Sequence, residues 1–217
     1  MNKTLKYSII GLSSIAFIGG AIFVYKKRFS ISKVGRKSIE LAKAEYESWN
    51  KGDVKHKEGD SSMYDNIKKY WNEGTDTFWS KSKMINEAWS AAFISYLMKK
   101  SGAGADFEAS NSHSVYIRAA IKNKKENNEN PFKGHKPSDI GVSKGDLICY
   151  PRQSGVGYDT TGAYKSHCDL VVDVKGYKAT AIGGNVSNSV SKTIVDLDEK
   201  NKIKDKKYFV VIKNKKA

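Results

Sequence analysis

The hydrophobic periodicity changes once along this chain, at about Lys122, and that change does most to limit its fold. Before it, apolar residues recur at helical spacing. Ile31 to Trp49 carries Val34, Ser38, Leu41, Ala42, Glu45 and Trp49 on one stripe, with Gly52 as its stop. A short helix is predicted over Met63 to Trp71, closed by Gly74. A clearer one runs from about Glu87 to Lys100, where Ser90, Phe93, Ile94 and Leu97 share a face ahead of Gly102. His113 to Lys122 reads as a fourth. After it comes a polar loop without periodicity, NKKENNENPFKGHKP. Short β-rich runs follow at Asp146–Tyr150, Cys168–Val174, Ala179–Ile182, Ser191–Asp196 and Tyr208–Ile212, separated by turn pairs such as Lys175-Gly176 and Gly183-Gly184. Helices first and an antiparallel meander afterwards predict an α+β fold, not an alternating parallel sheet.

The first 30 residues stand apart. Ser8 to Tyr25 is an uncharged, mostly apolar run, flanked by Lys3 and Lys6 before and Lys26-Lys27-Arg28 after. Eighteen residues at helical rise span about 27 Å, enough to cross a bilayer core. The expected organisation is therefore a membrane anchor over 1–30, with the spanning part at about 8–25, followed by one domain over 31–217. A cleaved signal peptide is the rival, but its small-residue site is weak, with only Gly19 and Ala21 on offer. The count of flanking lysines and arginines favours a cytoplasmic domain. The function implied below favours a single-pass protein with a periplasmic or extracellular domain.

A formal net charge of +15 draws such a chain toward anionic surfaces. Only Arg28, Arg36, Arg118 and Arg152 are arginines, and no arginine fork or basic–aromatic motif for nucleic acid is present, so nucleic acid is not an expected partner. Cys149 and Cys168 are too few for a disulfide framework or a zinc site, and both lie in apolar runs. Buried free thiols are the expectation, with no metal and no organic cofactor.

Three segments carry polar residues in positions suited to chemistry. In AWSAAFISYLMKKSGAG, Ser90 lies in the first turn of an amphipathic helix, near the positive end of its dipole. A helix cap or a small core filler would place a serine there equally well. In KGDLICYPRQ and SHCDLVVDV, His167 opens a strand. Side chains alternate across a strand, so Cys168 faces away from His167 while Asp169 shares its face. A lone strand histidine is most often structural. In AIGGNVSNSVS, two glycines let the backbone approach closely, and Asn185 follows as an acceptor able to orient an imidazole.

Their order resembles the NlpC/p60 and CHAP superfamily of papain-like hydrolases. The segments Trp89-Ser90-Ala91-Ala92-Phe93, Gly145-Asp146-Leu147 with His167, and Gly183-Gly184-Asn185-Val186-Ser187-Asn188 are similar to that superfamily's "WCAAFVSW", "GDLVFF…HVGIV" and "GGNQSN". FISYLMKKSGAG, NSHSVYIRAAI, GDLICYPR and SHCDLVV resemble more closely the domain-of-unknown-function 2272 family, in which serine replaces the cysteine. The resemblance implies a papain-like α+β fold of NlpC/p60 type, with N-terminal helices packed on an antiparallel sheet. It also implies a hydrolase of peptidoglycan amide bonds, an amidase or endopeptidase, working through Ser90 as nucleophile, His167 as base and Asn185 as orienter. Arg152 and His113 are the candidate substrate contacts, and Asp169 is the reserve partner for the imidazole. A serine hydroxyl cannot be pre-ionised as a thiol can. The alternative is thus a catalytically inactive module that binds cell wall or serves as a scaffold or interaction protein.

Overall fold

The computed structural model describes residues 31–51 and 54–217. Five α-helices are found among them: α1 (Lys33–Trp49), α2 (Tyr64–Thr75), α3 (Lys81–Asn86), α4 (Ser90–Ser101) and α5 (His113–Lys125). Six strands follow: β1 (Phe132–His135), β2 (Leu147–Pro151), β3 (Ser166–Lys175), β4 (Lys178–Gly183), β5 (Ser191–Asp196) and β6 (Val210–Asn214). Ser32 caps α1 by accepting a hydrogen bond from the Gly35 amide at 2.9 Å. Gly102, in the left-handed region, ends α4 as expected. Gly74 has another task. It sits inside α2, where a Cβ would lie 2.5 Å from the Ala92 carbonyl oxygen, so its bare backbone lets α2 press against α4.

The strands form one open antiparallel sheet in the order β1-β6-β2-β3-β4-β5. β2 to β5 make the expected meander, and β6 returns beside β2. Both faces of the sheet are buried. One face packs Leu147, Cys149, Cys168, Leu170 and Ile182 against Phe93, Ile94, Leu97 and Ile117 of the helices. The other packs Ile148, Val171, Ala181 and Val211 against Val142, Leu197 and Tyr208 from the connecting segments. Two-sided burial explains why β2, β3 and β6 read as apolar runs with little alternation.

Several expectations are corrected. The papain-like arrangement behind a membrane helix gives way to an α+β fold with an open six-stranded sheet and five helices. Among the described residues no helix is long and apolar enough to cross a membrane. The longest, α1, has 17 residues and is studded with lysine, arginine and glutamate. The apolar run at 8–25 lies outside the described residues. The single-pass localisation, the membrane as partner and the extracytoplasmic placement that depended on it are corrected on that ground. The cysteines are not free: Cys149 and Cys168 stand directly opposite in the β2–β3 register and form a disulfide, fully buried on the helix side of the sheet. The polar loop after α5 contains β1, and α3 forms in a stretch where no helix was predicted.

Candidate functional site

The start of α4 is fixed by its neighbours. Trp89 is wholly buried, stacks on Trp49 and Tyr70 at centroid distances of 5.1 and 5.5 Å, and donates its indole N–H to Glu58 at 3.0 Å. Ser90 follows in the first turn, 4% exposed. One and a half turns on, Ser95 donates to the Ser110 carbonyl at 2.8 Å and accepts from the Ser110 amide at 2.9 Å. This clasp sets where the chain enters α5, and therefore where His113, the first residue of α5, projects.

His113 Nε2 and the Ser90 hydroxyl are hydrogen-bonded at 2.7 Å. Its Nδ1 meets the hydroxyl of Tyr116, which shares its helix face three residues on. A neutral imidazole needs one donor and one acceptor, and two hydroxyls can supply both. Burial holds His113 well below the ordinary histidine pKa of 6.5, with the neighbouring His167 ring and the Arg152 guanidinium acting in the same direction. Burial likewise pushes Tyr116 well above the ordinary tyrosine value, with the Asp169 carboxylate reinforcing it.

The His113 ring packs on His167, with centroids 5.2 Å apart. His167 is wholly buried, and its Nε2 lies 2.8 Å from Asp169 Oδ1. Arg152 Nη2 lies 3.3 Å from its Nδ1. A guanidinium only donates, so Nδ1 is the acceptor and the ring hydrogen sits on Nε2, directed at Asp169. Gly183 makes room for this pair: a Cβ there would come within 1.8 Å of Asp169 Oδ1 and 3.0 Å of His167 Nε2. Gly184 lets the end of β4 reach α4, since a Cβ there would meet Phe93 at 2.6 Å.

The result is a buried polar layer, Ser90–His113–Tyr116 packed on His167–Asp169, with exposed Arg152 at its outer end. Ser90 is joined to His113, and the partners of His167 are Asp169 and Arg152. Asn185 is not among those partners. It is half-buried in the turn after β4, in the left-handed region with φ 55°. Tyr116 and Ser95 were not singled out from the sequence, and Gly183 was read as one of two glycines that let the backbone approach closely, without Asp169 as what it approaches. The signals were the three-residue spacing of His113 and Tyr116 on one helix, and a glycine placed opposite Asp169. The cavity between α5 and Tyr158, the one beside β5 and Tyr208, and the one between Tyr46 and Ser191 are not lined by Ser90, His113 or His167. Among the described residues no group of three or more His, Cys, Asp or Glu side chains is placed to hold a metal ion.

A family model described as "Uncharacterized protein conserved in bacteria (DUF2272)" matches residues 48–215, the span that holds every residue of this layer. The chain belongs to the DUF2272 family. No curated protein and no solved structure matches it. For this DUF2272 domain, the expected membrane-anchored peptidoglycan amidase or endopeptidase with a Ser-His-Asn site is corrected. No catalytic triad is evident, because Ser90, His167 and Asn185 each have other surroundings. Nothing in the fold or the comparisons points to peptidoglycan as a partner.

Proposed function

We propose that this DUF2272 domain is a non-catalytic interaction module, related to the NlpC/p60–CHAP superfamily by descent, in which Ser90 is a structural hydrogen-bonding group. The order of the three polar segments along the chain supports the kinship. The observation that carries the function is the closure of the polar layer. Ser90 and His113 are 4% and 5% exposed, His167 is wholly buried, and all four imidazole nitrogens are hydrogen-bonded within the protein. Nucleophilic attack needs a hydroxyl and a base that a substrate carbonyl can reach. Here both the Ser90 hydroxyl and the His113 ring are almost wholly covered by the protein. What faces outward is a lysine-rich surface on a chain of net charge +15, suited to an acidic partner.

The test uses the full chain and a fluorophosphonate probe, which labels serines activated for acyl transfer. No adduct on Ser90 is expected after prolonged incubation. Poly-glutamate, as a stand-in acidic partner, is expected to bind wild type and Ser90→Ala alike, weakening with salt to the same degree. An adduct on Ser90 that disappears in Ser90→Ala would overturn the proposal.

A further inference from the structure

A second polar site lies away from the Ser90 layer, where the end of α1, the segment 54–60 and the start of β5 come together. It is a cavity of about 130 Å³ lined by Tyr46, Asn50, Lys55, Lys57, Ser189, Ser191 and Lys192. Hydrogen bonds from each side tie its walls. Asn50 donates to the Tyr46 carbonyl at 2.8 Å and to the Val190 carbonyl at 2.9 Å, joining α1 to the chain before β5. The Glu58 amide donates to the Asn188 carbonyl at 2.8 Å, and Lys57 Nζ donates to the Ser187 carbonyl at 2.7 Å. These bonds fix the 54–60 segment against the turn after β4. Ser187 and Asn188 in that turn both adopt positive φ, at 52° and 61°.

Two features of the lining point to one kind of ligand. Its charges are all of one sign: three lysines and, among the described residues, no carboxylate. Like charges gathered around a small cavity repel, and an anion between them removes that cost. The second feature is Ser189, 2% exposed, whose hydroxyl has no hydrogen-bond partner. A buried hydroxyl left unpaired is unfavourable, and its free O–H is a donor suited to an oxyanion. Lys192 Nζ lies 3.7 Å from the centre of the Tyr46 ring, so the aromatic face positions that ammonium at the rim. Lys57 spends one of its three N–H donors on Ser187 and keeps two. The volume is well below the roughly 300 Å³ at which pockets take drug-sized molecules. It suits a single tetrahedral oxyanion.

We propose that this cavity is a binding site for a phosphate-sized oxyanion, held by Lys55, Lys57, Lys192 and the Ser189 hydroxyl. The site does not depend on whether the Ser90 layer is catalytic. The test titrates the ¹⁵N-labelled chain with inorganic phosphate, and separately with O-phosphoserine, at constant ionic strength set by sodium chloride. Saturable shifts of the Ser189, Ser191 and Lys192 amides are expected with phosphate and not with chloride alone. Tighter binding of O-phosphoserine assigns the site to a phosphomonoester, and equal binding assigns it to the free ion; either supports the site. Lys192→Ala and Ser189→Ala are each expected to weaken binding about tenfold. Lys55→Ala, an exposed change, keeps the test open if Ser189→Ala does not fold. Shifts that chloride reproduces, or an affinity unchanged in both lysine variants, would overturn the proposal.

Discussion

Gly183→Ala puts the greatest local stress on the buried polar layer with the smallest chemical change. Gly183 is not among the residues with positive φ, so alanine meets no backbone penalty there. The whole effect is steric. The new methyl carbon would stand 1.8 Å from Asp169 Oδ1 and 3.0 Å from His167 Nε2. Relief can come in two ways, and the cheaper one sets the cost. Turning the Asp169 carboxylate away breaks its 2.8 Å bond to His167 and leaves a charge that is 1% exposed without that partner. Hydrogen bonds to charged groups contribute about 1.5–3 kcal/mol, and orphaning a buried charge costs about 3–5. Moving β4 instead disturbs its pairing with both β3 and β5 and the Gly184–Phe93 approach, an overpacking cost of about 1–3 kcal/mol. The cheaper route gives a loss of about 1–3 kcal/mol, or roughly 2–12 °C in Tm for a domain of this size. Reversible urea unfolding with the disulfide intact measures it. The cycle with Asp169→Ala is the sharper check, because removing the carboxylate removes the clash. The double variant should then be more stable than the sum of the two single losses by about 1–3 kcal/mol. A Gly183→Ala loss below about 1 kcal/mol, or additivity within about 0.5, would refute the reasoning.

Two further outcomes rest on other buried groups. Lys213 is ion-paired with Asp146, which is 2% exposed and also accepts from the Ser143 amide at 2.7 Å. Lys213→Met should cost about 3–5 kcal/mol in urea unfolding near neutral pH. Burial raises the folded Asp146 pKa above its unfolded value, so the folded state holds that proton more tightly. Protonation favours folding at this group, and the Lys213→Met deficit should narrow as pH falls toward the carboxylate range. A deficit constant with pH would contradict this. Reducing the Cys149–Cys168 bond, which links residues 19 apart, should cost about 3 kcal/mol in unfolding monitored with and without reductant. Identical transitions would show that the thiols are not paired.

The parts of this fold legible in the sequence are those set by local pattern. The amphipathic stripes of α1, α4 and α5 brought their helices into view, and β5 occupies the Ser191–Asp196 span read from its residues. Strand parity put Asp169 on the His167 face and Cys168 on the other, which the structure repeats. What stayed hidden depends on pairing between distant segments. β1 has a single large apolar residue, Phe132, and is a strand because β6 lies beside it. The disulfide needs the register that sets Cys149 opposite Cys168, and a slip of one residue would turn the two to opposite faces. The Ser90–His113 bond depends on the Ser95–Ser110 clasp between α4 and the entry to α5, a tertiary contact without a sequence signature. Asn185 looked like an orienter because it follows two glycines, yet the acceptor on His167 is Asp169, already noted as sharing its face.

The most direct measurement is long-range ¹H–¹⁵N NMR of the imidazole rings in the intact chain. If the layer is closed, His167 carries its hydrogen on Nε2, facing Asp169, with Nδ1 accepting from Arg152, and His113 remains neutral at pH 6.5. A His167 hydrogen on Nδ1, or a His113 ring that gains its proton near pH 6.5 as an exposed histidine does, would mean an open, working imidazole and would contradict the account.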